Sequence, residues 1–149
     1  MKNKQQLTLL ARERARRERQ AAARATAAKS AASRQRQQLQ ELEAWQADYR
    51  HRGPTRGEPV TVSAAELTRW RQFMLGMDSI ISRQRETMAQ SEAGLAESID
   101  EWRQALLDVE VIDKLRIRLE TQKRELESQH EQEDQDDQAG HRYGGWQDR

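Results

Sequence analysis

Apolar side chains recur at alternating steps of three and four residues from Leu67 to Leu126. The positions are Leu67, Trp70, Met74, Met77, Ile81, Gln84, Met88, Ser91, Leu95, Ser98, Trp102, Ala105, Val109, Ile112, Arg116, Leu119, Lys123 and Leu126, and thirteen of the eighteen are apolar. A period of about 3.5 residues held this long predicts a helix lying along a partner helix in a left-handed coiled coil. The chain before it reads as a second heptad series: Leu7, Leu10, Arg14, Arg17, Ala21, Arg24, Ala28, Ala31, Gln35, Gln38, Leu42, Trp45 and Tyr49. That series is small and polar in its middle and bulky towards its end. Phe73 and Ile80 flank the main ladder and widen it near the connection, and Leu39 does the same on the first helix.

Gly53, Pro54, Gly57 and Pro59 cluster between the two series, a strong helix-breaking signal. Ser63-Ala-Ala-Glu66 then reads as a capping box, with Val62 and Leu67 placed as a hydrophobic staple. The expected fold is all-α: a long antiparallel two-helix coiled coil, or helical hairpin, over residues 1–131. It comprises a helix at 4–51, a loop at 52–63 and a helix at 64–131. Residues 132–149 are rich in Gln, Glu and Asp and are expected to be a disordered tail. The short loop makes the helices antiparallel. Pairing outward from it sets Trp45 near Trp70, Leu42 near Met74, Gln35 near Ile81 and Ala28 near Met88, with Arg14 and Arg17 opposite Trp102. Beyond about residue 115 the second helix has no partner of equal length, although Leu115, Leu119 and Leu126 continue its stripe.

Composition fits either disorder or a thin helical rod rather than a compact domain, and the ladder decides for the rod. Only 35% of the 149 residues are hydrophobic against 34% charged, and aromatics are 5%, which is little to bury for a chain of this length. The net charge of +1 hides a gradient. Residues 1–36 hold eleven Lys/Arg against two Asp/Glu, residues 37–85 seven against six, and residues 86–149 eight against seventeen. Antiparallel pairing places the basic half of the first helix beside the acidic half of the second, so the gradient has a structural use first. No cysteine is present, which removes disulfides and thiolate sites. No apolar run approaches the roughly 18 residues of a membrane span. The Arg- and Ala-rich start resembles a transit peptide, but it runs into the heptads and is read as part of the fold.

Catalytic signatures are missing. Neither GxxxxGK[ST] nor GxGxxG occurs, so no nucleotide or other small-molecule substrate is expected. His51, His130 and His141 lack His or Cys partners at ligand spacing, so no metal is expected. The acidic run Glu131 to Asp137 lacks the Gly-punctuated loop of a calcium site. No cofactor and no catalytic residue is expected. The arginines at 12, 14, 16, 17 and 19, followed by heptads, share the layout of a leucine-zipper DNA reader. The following heptads are Ala- and Gln-rich, however, and an acidic helix in the same chain competes for the charge. A protein partner is therefore favoured over nucleic acid.

Several segments resemble the flagellar FliJ family. Gln38-Leu-Gln-Glu-Leu42-Glu-Ala-Trp45-Gln-Ala-Asp-Tyr49 is similar to that family's signature at the end of its first helix. Trp70-Arg-Gln-Phe73-Met-Leu-Gly-Met77 resembles its aromatic segment opening the second. Glu101-Trp102-Arg103 matches its internal Trp, and Lys114-Leu115 through Arg124 resembles its helix-two extension. The resemblance covers roughly residues 35–138. It departs at Trp45, where Tyr is common, at Gln84, where His is common, and in the more acidic run from Gln132 to Gln138. It implies a non-enzymatic central stalk of the flagellar type III protein export apparatus, cytoplasmic and peripherally associated with the inner membrane. The implied partners are the hexameric export ATPase, the cytoplasmic domain of the export gate, and export chaperones. Carried over by position, the gate-binding residues are Gln38, Leu42, Trp45, Tyr49, Phe73, Met77, Ile80 and Gln84. The candidates for ATPase-ring contact are Leu7, Leu10, Arg14, Arg17, Leu119 and Leu126. The related stalk protein of injectisome type III secretion systems fits the same pattern.

Overall fold

The computed structural model describes residues 2–53 and 63–144. Every described residue except Gly53 and Ser63 is helical. Helix α1 spans Lys2–Arg52 and helix α2 spans Ala64–Gly144. The all-α, two-helix content agrees with the heptad reading. Neither Gly nor Pro interrupts α1, which is dominated by Ala, Arg, Gln, Glu and Leu, all good helix formers. The helix stops at Gly53, whose N–H donates to the Tyr49 carbonyl at 3.0 Å. Arg50, His51 and Arg52 sit in its last turn, where the helix dipole favours positive charge. At the start of α2 the Glu66 N–H donates to the Ser63 hydroxyl at 3.2 Å, which is the Ser half of the capping box. Val62 and the Pro54, Gly57 and Pro59 breakers lie outside the described residues, and so does the expected staple.

The helix expected to stop near 131 instead continues to Gly144, through most of the segment expected to be disordered. The physical reason is continuity. Extending a formed helix adds one hydrogen bond per residue fixed and avoids the cost of a new nucleus. No Gly or Pro occurs between Gly94 and Gly140. Residues 145–149, with Trp146, lie outside the described residues.

The chain divides into two compact units, Glu18–Gln104 and Met1–Arg17 with Ala105–Arg149. In the first unit, the covered seam of α2 follows the predicted ladder from Leu67 to Trp102, with Met74, Met77 and Ile81 buried. The covered seam of α1 runs Glu18, Ala21, Ala25, Ala28, Ala32, Gln35, Leu39, Leu42 and Gln46. Half of the expected α1 series is therefore corrected by one residue. Ala25, Ala32, Leu39 and Gln46 take the places assigned to Arg24, Ala31, Gln38 and Trp45. Two series of equal period fit the same helix, and the burial cost of each selects between them. Ala and Leu enter the seam at no cost in polar hydration, whereas Arg24 and Gln38 would lose water, and the seam set by these positions leaves Trp45 outside it. Leu39, read as a flanking residue, is core.

The pairing in this unit is antiparallel, and it is displaced from the loop-outward expectation by about one heptad. Trp70 lies against Gly53 rather than Trp45. The Trp102 indole N–H donates to Glu18 at 2.9 Å, not to the level of Arg14. Gln84 Nε2 donates to the Gln35 side chain at 2.7 Å and to its carbonyl at 3.1 Å. A seven-residue slip carries seam positions onto seam positions, so the apolar pattern alone leaves it open.

In the second unit Ile112 is buried, with Leu7, Ala11 and Arg14 of α1 and Ala105, Leu106 and Val109 of α2 half-buried. Asn3, Lys4, Leu7 and Thr8 share a groove of about 350 Å³ with Arg116, Leu119, Glu120 and Lys123. Within this unit the start of α1 lies at the level of 116–123, so α2 outlasts it after about Lys123 rather than after 115.

Candidate protein-docking surface

Two flanks border the seam of the Glu18–Gln104 unit, and they differ in chemistry. On one, Arg50 pairs with Asp78 at 3.5 Å, Glu43 with Arg85 at 3.2 Å, and Arg36 with Glu92 at 3.0 Å. Gln46 also donates to Asp78. These are rows of positions seven residues apart on each helix, so one face of the coil becomes a ladder of ion pairs.

The other flank carries Trp45 and Tyr49 from α1 and Phe73 and Ile80 from α2. Tyr49 and Phe73 meet edge to face, with ring centroids 5.0 Å apart and planes at 68°, the arrangement preferred by two aromatic quadrupoles. Exposure is 60% at Trp45, 47% at Tyr49, 48% at Phe73 and 52% at Ile80. About half of each large apolar side chain therefore remains in water. The same flank carries a charge pair further along: Arg24 meets Glu101 at 3.8 Å. Trp45 lies three heptads from Arg24 and Ile80 three heptads from Glu101. Near the connection, positions suited to an ion pair thus hold an indole and a branched alkyl group. Clustered exposed side chains of this kind mark docking surfaces more often than isolated ones do.

Of the other residues named for the gate, Gln38 is exposed, and Leu42, Met77 and Gln84 fall into the coil. Met77 is buried in the seam and Leu42 half-buried. Gln84 is half-buried and donates to the half-buried Gln35, so these two glutamines form a polar layer between apolar ones, and it also donates to Gln38 at 3.5 Å.

The residues named for the ATPase ring lie in the other unit. Leu7 and Leu119 line the groove described above. Leu10 and Leu126 are exposed, and Arg14 is half-buried. Glu13 takes a two-pronged bond from Arg16 at 2.6 and 3.0 Å, and Arg17 donates to it at 3.2 Å. The Arg16 bond, with smaller help from Arg17, holds the Glu13 carboxyl at about 2 against its ordinary 4.5, and the Arg16 guanidinium is pushed up in turn. Two cations of the basic segment are thus occupied locally.

Sequence reasoning passed over Leu75, Leu107, Val111 and Ile117, all exposed. The i,i+4 run Leu107, Val111, Leu115 lies off the ladder and was a readable signal of a second apolar strip. Among the described residues no group of three or more His, Cys, Asp or Glu is placed to hold a metal ion. No described helix is long and apolar enough to cross a membrane.

Heptad-paired helices with an apolar flank define a coiled-coil protein of the all-α class. The family model described as "Flagellar FliJ protein" matches residues 3–147, and the chain belongs to that family. No curated protein and no solved structure matches it. Membership makes it a flagellar, export-related protein.

Proposed function

We propose that this chain is the central stalk of the flagellar type III export apparatus, couples the hexameric export ATPase to the membrane export gate, and performs no catalysis itself. The exposed flank of Trp45, Tyr49, Phe73 and Ile80 faces the cytoplasmic domain of the gate. The unit holding Leu7, Leu10, Arg14, Arg17, Leu119 and Leu126 sits in the ATPase ring. Export chaperones dock on the same protein, which works in the cytoplasm at the inner membrane.

The observation that carries this reading is the asymmetry of the two flanks. A coil that serves only itself gains from ion pairs on both sides, as on the ladder of Arg36, Glu43 and Arg50. Here one side gives up that pairing for four large apolar groups about half exposed. An interface core needs such aromatic anchors. The test is co-purification of the tagged chain with the export ATPase and the gate domain, each alone and together. Capture of both supports coupling. Capture of neither, from a chain with its full helical signal, sinks it.

A further inference from the structure

The apolar seam leaves the register of this coil unspecified, and the ion-pair ladder supplies what the seam lacks. Along α1 the ladder reads Arg36, Glu43, Arg50. Along α2 it reads Asp78, Arg85, Glu92. The signs alternate at each heptad on both helices, and all three pairs are attractive. A slip of seven residues towards the connection sets Arg36 against Arg85, Glu43 against Asp78, and Arg50 against Arg71. All three pairs become like-charged. A slip the other way sets Glu43 against Glu92 and Arg50 against Arg85, while Arg36 meets Ile99. A ladder of uniform sign on each helix would tolerate either slip. This one penalises both.

We infer that the alternating ladder Arg36/Glu43/Arg50 with Glu92/Arg85/Asp78 is a register lock: it selects one heptad register and prevents the two helices of the Glu18–Gln104 unit from sliding past each other. The lock fills a gap left by the seam. Slipped by a heptad, Leu42 moves to the level of Met74, Gln35 to that of Ile81 and Trp45 to that of Trp70, all still apolar or neutral. Two further features side with the ladder. The Gln84–Gln35 layer loses its bonds on slipping, and the Trp70 indole leaves Gly53. The ladder is the only one of these contacts whose sign reverses. A locked register transmits a push along the coil, whereas a sliding one absorbs it. This inference does not depend on who the partners are.

The chain has no cysteine, so introduced pairs report register cleanly. Trp45→Cys with Ile80→Cys reports the native register, and Gln38→Cys with Ile80→Cys reports the slip, each read by cross-linking with a short bismaleimide. All three positions are exposed. The native ladder is expected to cross-link through 45/80 only. The variant R71E/D78R/R85E makes every slipped pair attractive and two native pairs repulsive. Each change of sign on an exposed pair is worth a small factor, and five changes together raise the slipped-to-native ratio on the order of a hundredfold. The 38/80 product then dominates. Adding E43R and R50D restores three attractive native pairs and returns the product to 45/80. Unchanged 45/80 cross-linking in R71E/D78R/R85E overturns the lock, as does failure of the added pair to restore it. If that variant loses its helical signal, the near-isosteric pair Asp78→Asn with Arg85→Gln decides. It is expected to raise the 38/80 product several-fold, and a product unchanged from the native ladder refutes the inference.

Discussion

Ile81→Ala and Trp45→Ala remove large apolar side chains, yet they are expected to differ sharply in cost. Ile81 is 3% exposed in the seam. Truncation to Ala removes three buried carbons at about 0.8 kcal/mol each and leaves a cavity that a thin coil partly closes. The expected loss is about 2–3 kcal/mol. Trp45 is 60% exposed on the flank. Its truncation loses little packing, and Ala is the better helix former by roughly half a kcal/mol. The expected net change is within about 0.5 kcal/mol. Urea unfolding followed by far-UV circular dichroism at 222 nm measures both, with the midpoint shift read at constant slope. Equal losses for the two variants would show that Trp45 is core and that no spare apolar flank exists.

Other outcomes follow from single contacts. A β-carbon at Gly53 would overlap the Trp70 indole, so Gly53→Ala is expected to cost about 1–3 kcal/mol. The same change in a Trp70→Leu background should cost much less. A double-mutant cycle in thermal melts measures the difference, and equal costs would dissociate the two residues. Glu13 is expected to titrate near 2 by carboxyl-detected NMR. Its folded value is depressed, so its pairing with Arg16 supports the helix fully above about 4.5 and is lost as the pH falls towards 2. In Arg16→Gln the carboxyl should return towards its ordinary range.

Periodicity, caps and breakers made the helices legible. The Leu67–Trp102 seam follows the sequence ladder position by position, because period and side-chain size agree there. On α1 the pattern is Ala-rich and two series of equal period compete. Desolvation, rather than period, moves the seam from Arg24 to Ala25 and from Gln38 to Leu39, and Gln46 follows in step. The register failed for a different reason. A heptad slip carries seam positions onto seam positions, and the charges that exclude it belong to pairs visible only once Arg36, Glu43 and Arg50 find partners. The flank was partly legible: Phe73 and Ile80 stood off the ladder at once, Trp45 joined them only after the α1 seam shifted, and Tyr49 joined them through its contact with Phe73. The continuation of α2 to Gly144 was masked by composition, since Gln, Glu and Asp are as common in exposed helix as in tails.

Whether the apolar flank is a docking surface is settled by titrating the cytoplasmic domain of the export gate into the full chain in a calorimeter. Trp45→Ala and Phe73→Ala are each expected to weaken binding by about tenfold or more, as loss of an aromatic anchor does. Leu75→Ala, also exposed but off the flank, should leave it unchanged. Native affinity in both flank variants, with helicity intact, would contradict the assignment of this face to the gate.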